Sequence, residues 1–512
     1  MTVAPPVRIR FRGASDAGNH SSVKWVDPAG AAHVSGTMTA PVIYWLRQDL
    51  RLADNAAFSA AAARGPLIFL YILDDVTPGD WRMGGAARWW LNRSLESLGR
   101  KIPLTLRRGP ADQVIDSVLA ETGAASLHFM RDYAPWSGAL EQRVKSVAEK
   151  RGAACHRYGG FLLHEPEAIR NGSGEPYRVY TPFSKSCFAA GEPKGLKPVP
   201  AFSPWQRALA SDRLEDWGLL PSRPNWAGAF EAQWTPGEEG AAQRLQDFIT
   251  HGLAHYADER DRPDRDVTSR LSPHLHFGEI SPAQAWHAAR TAEMQSGGRL
   301  AKTTEKFLKE ILWREFSYHL LHHWPTLPTE PFRPEFAAFP WTDDPAGLKA
   351  WQQGRTGYPI VDAGMRELWA TGAMHNRVRM IAASFLIKDL LIPWQDGERW
   401  FWDTLVDADI GSNSASWQWV AGCGADAAPY FRIFNPVLQG EKFDPAGAYV
   451  RKWVPELARM PDQFIHKPWE APRLVRDAAG VELGRNYPHP VVDHGKARDK
   501  ALAAFQEIKG AA

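Results

Sequence analysis

Apolar residues follow two different rhythms along the 512-residue chain, and the change between them divides it. From residue 41 short unbroken runs recur: VIYWL (Val42 to Leu46), PLIFLYIL (Pro66 to Leu73), LTLRRG (Leu104 to Gly109) and LHFM (Leu127 to Met130). Runs of this kind belong to strands buried on both faces of a parallel sheet. Stretches such as AAFSAAAARG and AARWWLNRSLESLGR lie between them and read as helices. The alternation predicts a doubly wound, Rossmann-like α/β domain over residues 39–165. Residues 166–235 are rich in Pro, Gly and Ser and read as an inter-domain linker. Beyond them helical periods take over. Val378, Ile381, Ala382, Phe385 and Leu386 recur at i, i+3, i+4, i+7 and i+8, one buried face of a helix. Residues 236–495 therefore form a mostly α-helical domain, followed by a short tail over 496–512. Ser272-Pro273 and Ser281-Pro282 each pair an N-cap residue with a proline suited to the first helical position, predicting two helix starts. Residues 1–38 carry no sustained period and read as a disordered extension, with Met38 directly before a strand as an alternative start.

Composition narrows the classes. No apolar run approaches the ~18 residues that a membrane span requires. Lys plus Arg number 60 against 58 Asp plus Glu, a formal net charge of +2, so any polyanion site has to be local. Cys155, Cys187 and Cys423 are too few and too scattered for a disulfide framework or a zinc site, which fits a reducing cytoplasm. No GxGxxG follows the first strand, where Arg47-Gln48-Asp49-Leu50-Arg51 stands instead, which argues against a dinucleotide bound in the usual Rossmann manner. Tryptophan is in excess: 23 residues, concentrated after residue 205.

Four constellations could carry chemistry. Thr268-Ser269-Arg270-Leu271-Ser272 puts three hydroxyls and a guanidinium beside a predicted helix start, where anions are favoured. Phe307, Glu310, Trp313 and Arg314 share one helix face, with Glu310 and Arg314 as an i, i+4 pair. His375-Asn376-Arg377-Val378-Arg379 brings polar groups into the start of a core helix, and no second ligand stands at metal spacing, so no metal is assigned. Asp407 and Asp409, two residues apart, point to a loop ahead of Asn413, Trp417 and Trp419. Each of these, taken alone, has an ordinary structural explanation.

Together they do not. RQDLRLADN (47 to 55), TSRLSPHLHFGEISP (268 to 282), ILWREF (311 to 316), TGYPIVDAGMRELWATGAMHNRVRM (356 to 380) and the segment from Asp407 to Pro445 resemble, in order, the DNA photolyase and cryptochrome family over roughly residues 40 to 495. The resemblance implies an antenna domain followed by a helical domain that holds FAD in a folded conformation. Tyr256, Thr268, Ser269, Arg270, Leu271 and Ser272 fall at the family's diphosphate positions, Glu310 and Arg314 at its cavity wall, and Asn376, Arg379, Asp407, Asp409 and Asn413 around the isoalloxazine. Phe307 replaces a tryptophan common in the family. Asn413 stands where plant cryptochromes have an aspartate, which favours the fully reduced anionic FAD of repair enzymes.

For the substrate, the resemblance implies DNA carrying a cyclobutane pyrimidine dimer that is flipped into a pocket. Trp313 and Trp419 match its walls, Met380 its apolar edge, Glu310 and Asn376 its polar contacts, and Arg377 and Arg432 the DNA-phosphate positions. His375-Asn376 lacks the second histidine of enzymes for the 6-4 photoproduct. Glu310 and Asn413, with an electron-transfer chain of Trp417, Trp394 and Trp341, complete the catalytic set; a second branch stays open. The expectation is light-driven dimer repair by a monomeric enzyme of class I or class III in the bacterial cytoplasm. The alternatives are a cryptochrome-like photoreceptor, which the short tail disfavours, and a photolyase restricted to single-stranded DNA. For the antenna chromophore, methenyltetrahydrofolate is preferred to a deazaflavin.

Overall fold

Five parallel strands form one sheet in the order β3-β2-β1-β4-β5: β1 Val42–Leu46, β2 Leu67–Leu73, β3 Leu104–Arg108, β4 Ser126–Met130 and β5 Ala154–Tyr158. The computed structural model describes residues 40–426 and 431–510, so the expected extension over 1–38 lies outside the described residues. β1, β2 and β4 are buried throughout because helices cover both faces. Val42, Tyr44 and Leu46 enter one core with Leu67, Phe69 and Tyr71, while Ile43 and Trp45 enter the opposite core with Ile68 and Leu70. That is the period-two alternation a strand imposes. β5 was not legible in the sequence: it is an edge strand, ACHRY, with His156 and Arg157 in its middle and no apolar run to announce it.

The crevice at the carboxyl ends of β1 and β4, where the strand order reverses, is where such sheets take ligands. Here Arg47 occupies it, bonded to Asp132 at 2.9 Å and Glu141 at 2.6 Å and lying over the Trp45 ring. The rest of that segment clamps the sheet to the helices. Leu50 N–H donates to the Phe277 carbonyl at 3.1 Å, Arg51 Nη1 donates to the Gly278 carbonyl at 2.9 Å, and Gly278 adopts φ +65° with no room for a Cβ, which would stand 2.0 Å from the Gln48 carbonyl oxygen.

The stretch expected to be a linker is tied down. Its backbone bridges to β2 through Leu67 and Pro204, and it contains the Tyr180–Ala189 helix, whose Tyr180 and Phe183 are buried against the long Ala301–His323 helix. The expected tail is a helix too. His494–Gly510 buries Ala497, Ala501, Ala504, Phe505 and Ile508, and His494 Nδ1 bonds the buried Asp389 at 2.6 Å. No apolar period stood out there because alanines carry most of the buried face. Of the two predicted helix starts, Ser281 caps the Pro282–Gln295 helix in a full capping box, whereas the Ser272–His276 helix has Leu271 at its cap position and no side-chain cap. Among the described residues no helix is long and apolar enough to cross a membrane.

Candidate active site

A cavity of about 550 Å³ opens among the Leu253–Glu259, Ala301–His323, Asn376–Ser384 and Ile410–Ala421 helices. The long helix contributes Phe307, Glu310, Trp313 and Arg314 to its wall, the single face that their spacing predicts. The predicted Glu310–Arg314 pair does not form. Glu310 is instead claimed by Arg260, which stands one turn beyond Tyr256 and lies over its ring, with Lys306 at 3.8 Å. Arg314 Nη1 donates to the Phe161 carbonyl at 2.9 Å, its guanidinium lies 4.2 Å from the Phe161 ring centroid, and its buried Nη2 has no partner.

The 268–272 segment reaches the cavity only in part. Ser269, Leu271 and Ser272 line it; Thr268 and Arg270 do not. Arg270 has φ 51° and its guanidinium stacks over Trp234 at 4.5 Å, where burial lowers its pKa. The helix that follows spans five residues, too short to supply the dipole that the sequence suggested. Ser272 Oγ donates to Asp407 at 2.5 Å, and Asp407 also takes both contacts from Arg379 Nη2, at 3.0 and 3.1 Å. Arg379 is oriented in turn by donating from Nε to the Met374 carbonyl at 2.7 Å.

Asp409 lines the cavity, yet its carboxylate is engaged by protein. One oxygen caps the Ile410–Ala421 helix by accepting from Ser412 N–H at 2.8 Å; the other accepts from His276 and the Tyr318 hydroxyl. Burial pushes its pKa up, but the hydrogen bond and charge of His276, then Arg314 and Tyr318, hold it down at about 2. It thereby fixes this helix start, from which Asn413 projects into the wall one turn on. Asn413 Nδ2 donates to the Glu398 carbonyl at 3.1 Å. Behind it lies the Glu398 carboxyl, 1% exposed, accepting from Ser414 and with Oε2 unpartnered; burial raises it to about 8.

The outer wall holds Trp313, Trp419, Asn376, Arg377 and Met380. Trp313 is fixed by Tyr180, whose ring lies parallel to it at 3.6 Å. Arg377 pairs with Asp261 at 2.8 Å and lies over Phe443. His375 does not line the cavity. It caps the Asn376–Ser384 helix by accepting from Arg377 N–H, and burial, the main cause, lowers its pKa to about 4 and keeps it a neutral acceptor. Arg432 also lies off the cavity, in an adjoining groove that shares Arg377 and Asp261.

Trp417 is on the wall, buried Trp394 stands behind it, and half-buried Trp341 packs at the edge of the same cluster. All three belong to one hydrophobic cluster, where other rings also surround them. Trp417 has Phe401 and Trp351 as ring partners, at 5.0 and 6.2 Å, and Trp341 has Phe339 at 4.4 Å. Trp417 also rests on Gly397, where a Cβ would come within 2.1 Å of its ring, one turn along the helix from Trp394. Arg260, His276, Tyr318, Tyr180 and Glu398 were not singled out from the sequence; of these, Arg260, four residues after Tyr256, and Tyr318, four residues after Arg314 in one helix, had a spacing that could have flagged them.

Comparison with known proteins bears directly on this cavity. Residues 307–507 match the family model described as the FAD binding domain of DNA photolyase, and residues 42–206 match the DNA photolyase model. The chain is 50% identical to the deoxyribodipyrimidine photo-lyase of Agrobacterium fabrum over 481 residues, 92% of this chain and 98% of that protein. It is 38% identical to cryptochrome-1 of Arabidopsis thaliana over 92% of this chain and 71% of that one. Among solved structures, a bacterial class III photolyase from Agrobacterium tumefaciens superposes with a TM-score of 0.89 at 49% identity, covering 93% of this chain and 99% of that one.

Proposed function

This chain belongs to the DNA photolyase family, and from that premise we propose that it repairs cyclobutane pyrimidine dimers in DNA, driven by light, in the manner of class III enzymes. One observation carries the proposal: a single cavity joins a polar inner wall, made by Arg314, Arg379, Asp407 and Asn413, to an outer wall of Trp313, Trp419 and Met380. Such a volume, about 550 Å³, lies in the range of a small-molecule or cofactor pocket.

The donor set fits FAD. Arg314 offers a buried N–H with no protein partner, Arg379 presents a guanidinium already oriented by Asp407 and Met374, and Asn413 offers a neutral amide. In this proposal Tyr256, Ser269, Leu271, Ser272, Glu310, Arg314, Asn376, Arg379, Asp407 and Asn413 hold the cofactor; Thr268, Arg270 and Asp409 shape the surrounding backbone. FAD, when bound and reduced, supplies the electron that a dimerised pyrimidine accepts on illumination.

The protein's own work is binding, orientation and exclusion of water. Trp313 and Trp419 offer flat apolar faces to a flipped pyrimidine pair, and Tyr180 keeps Trp313 from turning away. Glu310, held by Arg260, offers carboxylate oxygens to base N–H groups, with Asn376 beside it. Arg377 and Arg432 take phosphates outside. The Arg379–Asp407 pair sets a fixed field at the inner wall. At that wall Asn413 offers a neutral amide in place of a carboxyl.

For the antenna we retain a folate. Glu165, from a distant segment, brings a carboxylate beside Tyr133, where it accepts from the Tyr133 hydroxyl at 2.9 Å and from Arg131 at 2.6 Å. The test of the whole assignment is the purified protein itself. About one FAD per chain is expected, released on denaturation, together with dimer splitting under near-UV or blue light and none in the dark. A protein that takes up no FAD, or takes it up and splits no dimers, contradicts it; the latter result would favour the photoreceptor alternative.

A further inference from the structure

The cavity is continuous with a second, wider depression. Asp261 and Arg377 on its rim also line an open groove of about 1090 Å³, whose far wall is the His494–Gly510 helix. From that helix Arg498, Leu502, Phe505, Gln506 and Lys509 face the groove, at i, i+4, i+7, i+8 and i+11, a single stripe. The neighbouring stripe of Ala497, Ala501, Ala504 and Ile508 is buried, so the helix is held rigidly with its basic side turned to the groove.

The charge there is one-sided. Arg262, Arg377, Arg432, Lys442, Arg498 and Lys509 line the groove against two carboxylates, Asp258 and Asp261, in a chain whose formal net charge is only +2. Arg377, Arg262 and Arg498 already have acids, Asp261, Asp264 and, at 3.6 Å, Asp499. Lys442 and Lys509 have none among the described residues: their ammonium groups lie 5.1 and 4.9 Å from the rings of Phe443 and Phe505. Surfaces that serve only solubility intersperse the two signs. A row of cations over aromatic rings, continuous with a pocket mouth, suits a ligand with evenly repeated negative charge and planar groups between the charges.

We infer that the His494–Gly510 helix is part of the DNA interface, with Arg498 and Lys509 holding phosphates of the lesion-bearing strand as it runs away from the cavity mouth. The inference rests on the dimer-repair assignment, since the strand has to be anchored by its flipped bases at the mouth. It gives the C-terminal helix a substrate role and extends the strand contact beyond Arg377 and Arg432.

The test compares two dimer-containing oligonucleotides, one ending beside the lesion and one extended on both sides, titrated by fluorescence anisotropy across a salt series. The Arg498→Ala/Lys509→Ala double variant should bind the short oligonucleotide like the parent. On the long one it should bind several-fold more weakly, with a log K against log salt slope shallower by about 1.4, the value for two phosphates on a single strand. Lys500→Ala, which removes a charge from the same helix outside the groove, should match the parent on both. Gln506→Glu, which places an acid in the groove, should weaken the long oligonucleotide selectively, and unchanged melting temperatures establish that the helix stays docked. Unchanged slopes on the long oligonucleotide overturn the inference, as does an equal loss on both lengths. If the parent shows no preference for dimer-containing over undamaged DNA, the repair assignment fails first and this inference falls with it; a parent that prefers the dimer while the variants behave like it leaves repair standing and removes only the helix.

Discussion

Asn413 lines the cavity and Glu398 lies buried behind it, where burial sets the protonation of its carboxyl. The Glu398 carboxyl has a pKa raised to about 8 by burial, so the folded protein holds a proton that the unfolded chain, with an ordinary glutamate near ~4.3, releases. The corresponding stability is fully present below pH ~4.3 and is lost as pH rises through about 8. Glu398→Gln keeps an acceptor for Ser414 and replaces the acidic O–H by an amide, removing that dependence. Between pH 7 and 9 the parent should lose about 1.4 kcal/mol relative to the variant in chemical denaturation, and parallel pH profiles would refute the assignment. Asn413 obeys a related constraint. Its Nδ2 donates to a carbonyl, the Glu398 oxygen at 3.1 Å, and a carboxylate there would set two acceptors against each other. Asn413→Asp should therefore carry a protonated carboxyl at neutral pH, visible as a second protonated-acid band beside that of Glu398 in the infrared difference spectrum. Its absence would mean that the side chain turns away from that carbonyl.

Helix placement determines what the tryptophans can do. The Trp394–Thr404 helix brings Gly397 under the Trp417 ring and sets buried Trp394 one turn back, with half-buried Trp341 at the cluster's edge. If these three carry electrons from solvent to the cavity, Trp394→Phe should sharply slow photoreduction of the oxidised protein by an external reductant. Dimer repair by chemically pre-reduced protein should stay nearly unchanged. Equal photoreduction in variant and parent would reject this path in favour of another, and loss of repair in the pre-reduced variant would mean a damaged fold. The same helices show what a sequence can and cannot disclose. Phe307, Glu310, Trp313 and Arg314 were legible as one wall because 3.6-residue spacing alone puts them there. Their partners were not: Arg260 takes Glu310 and the Phe161 carbonyl takes Arg314, and both arrive from other segments, about which the spacing within this helix carries no information. Tyr180, which fixes Trp313, sits on a helix hidden in a Pro- and Gly-rich stretch, and Arg270 is drawn off the cavity by Trp234, a contact 36 residues away in the chain.

At the scale of the whole molecule, the segment from Arg47 to Asn55 explains why the α/β sheet lacks a phosphate-binding glycine loop. Arg47 fills the crevice, Leu50 and Arg51 bond to the backbone of Phe277 and Gly278, and Asn55 caps the Ala56–Ala62 helix, so the loop holds the sheet against the cavity domain. Gly278→Ala tests that clamp: a Cβ would meet backbone at 2.0 Å on a residue with φ +65°, and a loss of at least ~1 kcal/mol in thermal or chemical unfolding is expected. An unchanged melting temperature would show that the two parts do not depend on this contact. The sheet and the helical half were accessible from the chain's periodicity, and the cavity from its resemblance to a known family, whereas the docking of sheet on helices depends on contacts between distant segments, such as Arg51 on the Gly278 carbonyl, that local patterns do not encode. The central claim is that this assembled cavity reverses cyclobutane dimers and not 6-4 photoproducts, because it offers Asn376 and a neutral Asn413 and no second histidine beside His375. The most direct measurement is to illuminate pre-reduced protein with two oligonucleotides, one bearing a thymine cyclobutane dimer and one a 6-4 photoproduct, and to resolve the products chromatographically. Restored thymines from the first and an unaltered second oligonucleotide are predicted; repair of the 6-4 product with the dimer left intact would contradict the account.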